Sequence, residues 1–213
     1  MTQIDHIFVF PRDRARLQKR LEMAGLEPSF RREHPGQGTA NVCYCFENTY
    51  LELLWVEDAS AAQHPGVART GLIQRGSGDP SSCPIGIAWR DGTDAGLEIE
   101  TWDYEAPFLP AGMSIAVANE SDDPAVPFIF RSPGTNAPSE WTDGRAGGLQ
   151  RAAGLGPVER VILGCPPEYR PGPALSELAG CTILSVKDAP GWSLILEVSQ
   201  RSSAEPLRLT DIW

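Results

Sequence analysis

The opening 56 residues narrow the choice of fold most, because their apolar periods and breakers spell out β-α-β-β-β. Residues 3–10 (QIDHIFVF) alternate with β-branched and aromatic side chains, the mark of a half-buried strand, and Pro11 ends it. Residues 12–24 (RDRARLQKRLEMA) put Leu17, Leu21 and Ala24 on one helical face, and Gly25 supplies a left-handed stop. Residues 26–32 read as a short strand with charged outward positions. HPGQGTAN, 34–41, reads as a loop because of its glycines and proline. Residues 42–46 and 50–56 (YLELLWV) are strands about a turn at Glu47, Asn48 and Thr49.

The far end of the chain reads as a second copy. VERVILG at 158–164 lies over IDHIFVF at 4–10, SELAGC at 176–181 over LEMAGL at 21–26, and PLRLTDI at 206–212 over YLELLWV. Residues 182–187 and 193–199 supply the intervening strands. Between the copies, CPIGIAWR (83–90), MSIAVAN (113–119) and VPFIFR (126–131) read as strands, and 132–148 is the most linker-like stretch. The chain thus divides into a first βαβββ module at 1–57, a middle segment at 58–150 and a C-terminal βαβββ module at 151–213. Periodicity leaves open whether the middle is a degenerate module or a set of added strands.

Composition bounds the function. With 18 Lys+Arg against 28 Asp+Glu the formal charge is −10, which disfavours nucleic acid and anionic membranes as partners. No apolar run approaches the ~18 residues of a membrane span, and the N-terminal charges follow the apolar run, the wrong order for a signal peptide. Cys43, Cys45, Cys83, Cys165 and Cys181 form no CxxC pair, so buried reduced thiols are expected. A cytoplasmic protein acting on a small molecule remains.

IDHI at 4–7, HPGQGTAN, YLELLWV and VPFIFR resemble, in order and spacing, the glyoxalase-like domains of the vicinal-oxygen-chelate superfamily. The resemblance implies an α+β fold of paired βαβββ modules curling mixed sheets around a pocket, with extra strands in the middle segment. It also implies a metal-dependent lyase, isomerase or related enzyme acting on a small oxygenated metabolite. Carried over position by position, the first-strand metal ligand falls on His6 and the last-strand ligand, also the catalytic carboxylate, on Glu52. Imidazole plus carboxylate suits Zn, Ni, Mn or Fe(II). In the C-terminal copy the same positions hold Arg160 and Arg208, which stay protonated and do not ligate metals.

A competing reading follows from those arginines: a metal-free module that binds or sequesters a small molecule, with Arg160 and Arg208 facing an anionic ligand. His34 and Asn41, in the glycine-bearing loop, are candidate substrate contacts at the pocket edge. His64 reads as a solvated loop histidine, Arg90 and Arg131 as solvated strand ends, and Trp55, Trp89 and Trp213 as core or interface. Paired modules close a pocket within one chain or across a homodimer, and the middle strands would suit such an interface.

Overall fold

The computed structural model describes residues 1–92 and 96–210, so Trp213 and the end of the expected last strand lie outside the described residues. Strand β1 (Gln3–Val9) leads to helix α1 (Arg14–Met23), which Asp13 caps by accepting the Arg16 backbone N–H at 3.0 Å. Strands β2 (Phe30–His34), β3 (Thr39–Cys45) and β4 (Tyr50–Val56) follow, so the expected β-α-β-β-β order is present. The 34–41 loop contracts to a four-residue turn at 35–38. His34 closes β2 and Asn41 lies within β3, opposite Arg32. Gly38 permits this tight reversal through a positive φ of 76°, and its carbonyl accepts the Glu57 and Asp58 N–H groups, pinning the turn beneath the end of β4.

Three one-turn helices that periodicity did not suggest, α2 (Ala59–Ala62), α3 (Pro65–Ala68) and α4 (Leu72–Arg75), carry the chain to β5 (Ile85–Arg90). Then come β6 (Thr101–Tyr104), β7 (Ile115–Ala118) and β8 (Phe128–Arg131). All eight strands form one mixed sheet in the order β2-β3-β4-β1-β5-β8-β7-β6. β1 runs parallel to β4, β5 parallel to β8, and β1 meets β5 antiparallel at the centre. The sheet is therefore two four-stranded halves of the same internal order, joined along the β1–β5 seam. The middle of the chain supplies the partner half, without a helix among the described residues between β5 and β6.

The C-terminal segment has the expected element order: β9 (Leu155–Cys165), α5 (Pro173–Cys181), β10 (Leu184–Asp188), β11 (Ser193–Gln200) and β12 (Ser203–Leu209). Its pairing corrects the reading of a second copy. These strands make a separate sheet ordered β10-β9-β11-β12, with the last strand at an edge, whereas β4 lies directly against β1. The likeness of VERVILG to IDHIFVF reflects a shared pattern of buried alternation, which does not fix strand partners.

Alternation sorts the large sheet into two faces. Ile7, Val9, Val42, Tyr44, Leu51, Leu53, Ile85 and Ile87 pack in one cluster with Leu17 and Leu21 of α1, Leu175 and Leu178 of α5, and Val161 and Leu163 of β9. His6, Phe8, Asn41, Glu52, Leu54, Phe128 and Phe130 occupy the other, concave face. Gly86 serves that face. A Cβ there would strike the ring of Phe8, which lies across β5.

Polar clamps hold the C-terminal unit to the back. The Asn48 amide pairs with both N–H and C=O of Val158 at 2.9 Å, standing in for a strand partner. Glu120 accepts the Ala174 and Leu175 N–H groups (3.1 and 3.4 Å) in the first turn of α5, compensating its exposed donors. Arg75, 1% exposed, donates to the main-chain carbonyls of Thr70, Ser121, Asp123 and Val126, tying α4 to the approach to β8. Burial lowers its pKa to about 10, which leaves it charged at neutral pH. Replacing this cation with an apolar side chain strands several buried acceptors. Arg75→Met is expected to lower the unfolding free energy by on the order of 3 kcal/mol in urea titrations, and a change below about 0.5 kcal/mol would refute the clamp.

Candidate functional site

The site begins with an irregularity in the central seam. The β1–β5 register shifts between Ile4 and His6, which makes Asp5 an extra residue in its strand. Ile4 and Ile7 both reach the hydrophobic cluster behind the sheet, and the bulge lets the neighbouring Asp5 and His6 side chains meet. His6 Nδ1 lies 2.6 Å from Asp5 Oδ1. Arg90 secures the other carboxylate oxygen (Nη1–Oδ2 3.2 Å) and also donates to Gln3 and to the Asn48 carbonyl. Expected to be solvated, Arg90 is instead 3% exposed, because Asp5 needs a cation beside it. Burial pushes the Asp5 pKa up, but the hydrogen bond and charge of His6 and the Arg90 guanidinium outweigh it and hold the carboxyl below its usual value.

With Nδ1 committed to Asp5, His6 turns Nε2 towards Glu52 (Nε2–Oε2 3.5 Å), and its ring stacks on Tyr50 at 4.4 Å. Glu52, in the middle of β4, accepts from Asn41 Nδ2 at 2.7 Å. The same amide nitrogen lies 3.5 Å from His34 Nε2, and His34 Nδ1 lies 2.8 Å from Thr39 Oγ1. Gln37 donates to that hydroxyl (2.7 Å) and accepts from Tyr104 O–H (2.8 Å). A continuous polar row thus crosses the concave face from Arg90 to Tyr104. Desolvation lowers the His34 pKa most, Arg32 and His6 lower it further, and Glu52 opposes them, so the ring is held neutral.

The row borders a cavity of about 210 Å³. Its opposite wall is hydrocarbon: Phe8, Leu54, Ile115, Phe128 and Phe130. Trp141 and Arg145, from the 132–148 stretch, cover one side, where Phe30, Tyr50 and Trp141 pack with Cys45, Ala146 and Leu149. Cys43 and Cys45 lie on β3 beyond Asn41, buried and outside the cavity lining. Burial raises both thiols, Cys45 to about 11 and Cys43 well above its usual value, so neither is a nucleophile at neutral pH. All five cysteines are free, and Cys181, expected with the buried thiols, is exposed.

His6, Glu52, His34 and Asn41 are therefore brought together. Arg160 and Arg208 are not. They lie on the small sheet, about half exposed, each paired with Glu197 (3.5 and 3.3 Å) on the intervening β11. They line no part of the cavity, because both strands pair with β11 in the small sheet rather than with β1. His64 caps α3, its Nδ1 accepting the Gly66 N–H at 3.2 Å. Asp5, Tyr50 and Arg32 were missed. Asp5 offered one signal, an acid next to the histidine in an otherwise apolar strand.

A resident metal finds too few donors. Among the described residues no group of three or more His, Cys, Asp or Glu is arranged to hold one. His6 Nε2 and Glu52 Oε2 are two suitable atoms, while β5 and β8 bring Gly86, Ala88, Phe128 and Phe130 to the corresponding places across the seam. Three or four protein ligands are usual for divalent zinc, and phenylalanine supplies none.

Residues 4–95 match the family described as a glyoxalase-like domain. No curated protein matches the chain. Among solved structures, a hypothetical protein from Staphylococcus aureus is 14% identical, with a TM-score of 0.55 over 100% of this chain and 96% of that one; at that identity the likeness shows the fold alone. A methylmalonyl-CoA epimerase in complex with methylmalonyl-CoA and NH4+ is 17% identical over 64% of this chain and 99% of that one, TM-score 0.41. The Streptomyces coelicolor methylmalonyl-CoA epimerase, in a variant complexed with 2-nitronate-propionyl-CoA, is 18% identical over 62% and 97%, TM-score 0.38. The fold is thus mixed α+β with curled, unclosed sheets of the glyoxalase-like kind, and no described helix is long and apolar enough to cross a membrane.

The shifted pKa values set a pH dependence. His34 is held below 6.5, so the unfolded chain binds more protons than the native one as pH drops through 6.5, and stability falls there. Asp5 is held below 3.8 and contributes stability present above that value and lost as pH falls through its native pKa. His34→Gln is expected to flatten the loss of urea midpoint between pH ~6.5 and ~5 while leaving the acid limb. An unchanged slope would show that His34 is not the group responsible.

Proposed function

We propose that this protein binds a small oxygenated molecule in the concave cavity and that His6 transfers a proton on it, an isomerase- or lyase-type reaction. The observation that carries the reading is the Asp5–His6–Glu52 arrangement opening on an aromatic-walled cavity. Asp5 accepts a hydrogen bond from His6 Nδ1–H, which leaves the Nε2 lone pair free on the side of Glu52 and the cavity. A carbon acid next to a carbonyl, seated there, gives its proton to Nε2, its C–H electron pair passes into the carbonyl as an enolate, and the imidazolium returns the proton to carbon. The imidazolium so formed lies between the Asp5 and Glu52 carboxylates, which stabilise its charge without further rearrangement. Asn41 and Tyr50 keep Glu52 and the imidazole ring in place. The hydrocarbon wall excludes water and strengthens these electrostatic contacts.

A metal-dependent lyase or isomerase is a second reading, favoured by the closeness of His6 Nε2 and Glu52 Oε2, the two side chains that would hold the ion as a Lewis acid. Zn, Ni, Mn or Fe would need its remaining ligands from substrate or water. A metal-free sequestering module is the third, and it would use the same cavity without the proton transfer. We place the protein in the cytoplasm, where five unpaired cysteines stay reduced.

Solvent deuterium uptake separates these readings. A panel of small aryl and branched ketones is incubated with protein in D2O and followed by proton NMR. The wild type is expected to exchange the hydrogen next to a carbonyl, and His6→Gln to slow this by about 10²–10⁴-fold with little change in binding. Elemental analysis of protein purified without chelator is expected to show substoichiometric metal. Stoichiometric metal lost in His6→Ala and Glu52→Ala moves the assignment to the second reading. Binding without exchange above the buffer rate moves it to the third.

A further inference from the structure

We infer that the cavity selects a carboxylate: the ligand carries one negative charge that Arg32 holds at the mouth, with its apolar body against the phenylalanines. The inference rests on the cavity being a small-molecule site, and extends it from position to ligand class.

Arg32 lies on β2 with its side chain on the concave face, between Phe30 and His34, which line the same cavity. Its guanidinium sits 5.8 Å from the Phe30 ring centroid. Among the described residues no carboxylate comes within ion-pair distance of it. Arg69, Arg90, Arg131, Arg151, Arg160, Arg201 and Arg208 each have an acidic partner, and the buried Arg75 is held by main-chain carbonyls. In a chain of charge −10, a cation left unpaired beside a cavity is a specific arrangement.

Arg145 approaches the same cavity from the covering segment, stacked on Trp141 at 3.9 Å and paired with the exposed Asp143 at 3.3 Å. Arg32 and Arg145 thus reach the one cavity from two segments, β2 and the covering stretch. Both arginines are exposed, while the phenylalanines behind them are buried. A ligand meets charge first and hydrocarbon afterwards.

The geometry suits a carboxylate because the guanidinium fork matches its two oxygens. The charge would also offset repulsion from Glu52 as the ligand enters. A cavity of about 210 Å³ is below the ~300–1,000 Å³ typical of drug-sized ligands, which limits the body to something like a single ring or a short branched chain.

Matched probes test the inference on the whole protein by fluorine NMR titration: 4-fluorobenzoate, its neutral amide 4-fluorobenzamide, and 4-fluorophenyl phosphate. In the wild type the benzoate is expected to bind about tenfold or more tightly than the amide, a gap that salt narrows. Arg32→Gln is expected to erase the gap while leaving amide affinity unchanged, and Arg145→Gln to reduce it in part. Equal binding of benzoate and amide, or a gap that survives Arg32→Gln, overturns the inference and leaves the cavity as a neutral-ligand site. Tighter binding of the phosphate than the benzoate overturns the choice of carboxylate. If no probe binds, the small-molecule reading of the cavity fails together with the inference.

Discussion

Two carboxylates and an imidazole beneath a sheet of phenylalanines are tolerable only if each has a partner, and that requirement shapes the centre of this protein. An isolated buried carboxylate costs several kcal/mol even after relaxation. The chain meets the demand at the seam between its two half-sheets. Arg90 from β5 reaches across to Asp5 on β1, Asp5 holds His6, and Glu52 accepts from Asn41. The bulge at Asp5 is the geometric condition. Without the extra residue, Asp5 and His6 would point to opposite faces, and the acid would fall among Ile4, Ile7 and Ile87.

The joining of the halves and the making of the site are therefore one event. Arg90 also donates to the Asn48 carbonyl, and the Asn48 side chain grips β9 of the small sheet. The chain of contacts runs from cavity to seam to docking surface. The C-terminal unit contributes nothing to the cavity, yet it covers the back of the strands that form it. Its Arg160–Glu197–Arg208 ladder is an exposed cross-strand ion cluster of modest energetic weight.

The first module was legible because each of its signals was local. Alternation in residues 3–10, the helical face of Leu17 and Leu21, the stop at Gly25 and the turn at 47–49 each act within a few residues, and the family resemblance then pointed to His6 and Glu52. Partner choice was not legible. VERVILG and CPIGIAWR both read as buried strands, and only long-range pairing decides that the second meets β1 while the first starts another sheet. Arg90 misled for a related reason: an arginine at a strand end is solvated unless an acid lies across the seam, and that acid is 85 positions away. Arg32 and Trp141 were hidden because they matter only where β2 and the 132–148 stretch meet over one cavity.

The division of labour between the halves carries a consequence for any ligand. At the seam the two halves present equivalent concave positions, but β1 and β4 fill them with His6, Phe8, Tyr50 and Glu52, and β5 and β8 with Gly86, Ala88, Phe128 and Phe130. One wall hydrogen-bonds and the other only excludes water. A molecule with oxygens at one end and hydrocarbon at the other has a single low-energy orientation between such walls, since reversing it would bury its polar atoms against phenylalanine and leave Glu52 facing hydrocarbon. A cavity with donors on both walls would lack this bias. Under the proposed function, this orientation sets the ligand's oxygen-bearing carbon beside His6 Nε2.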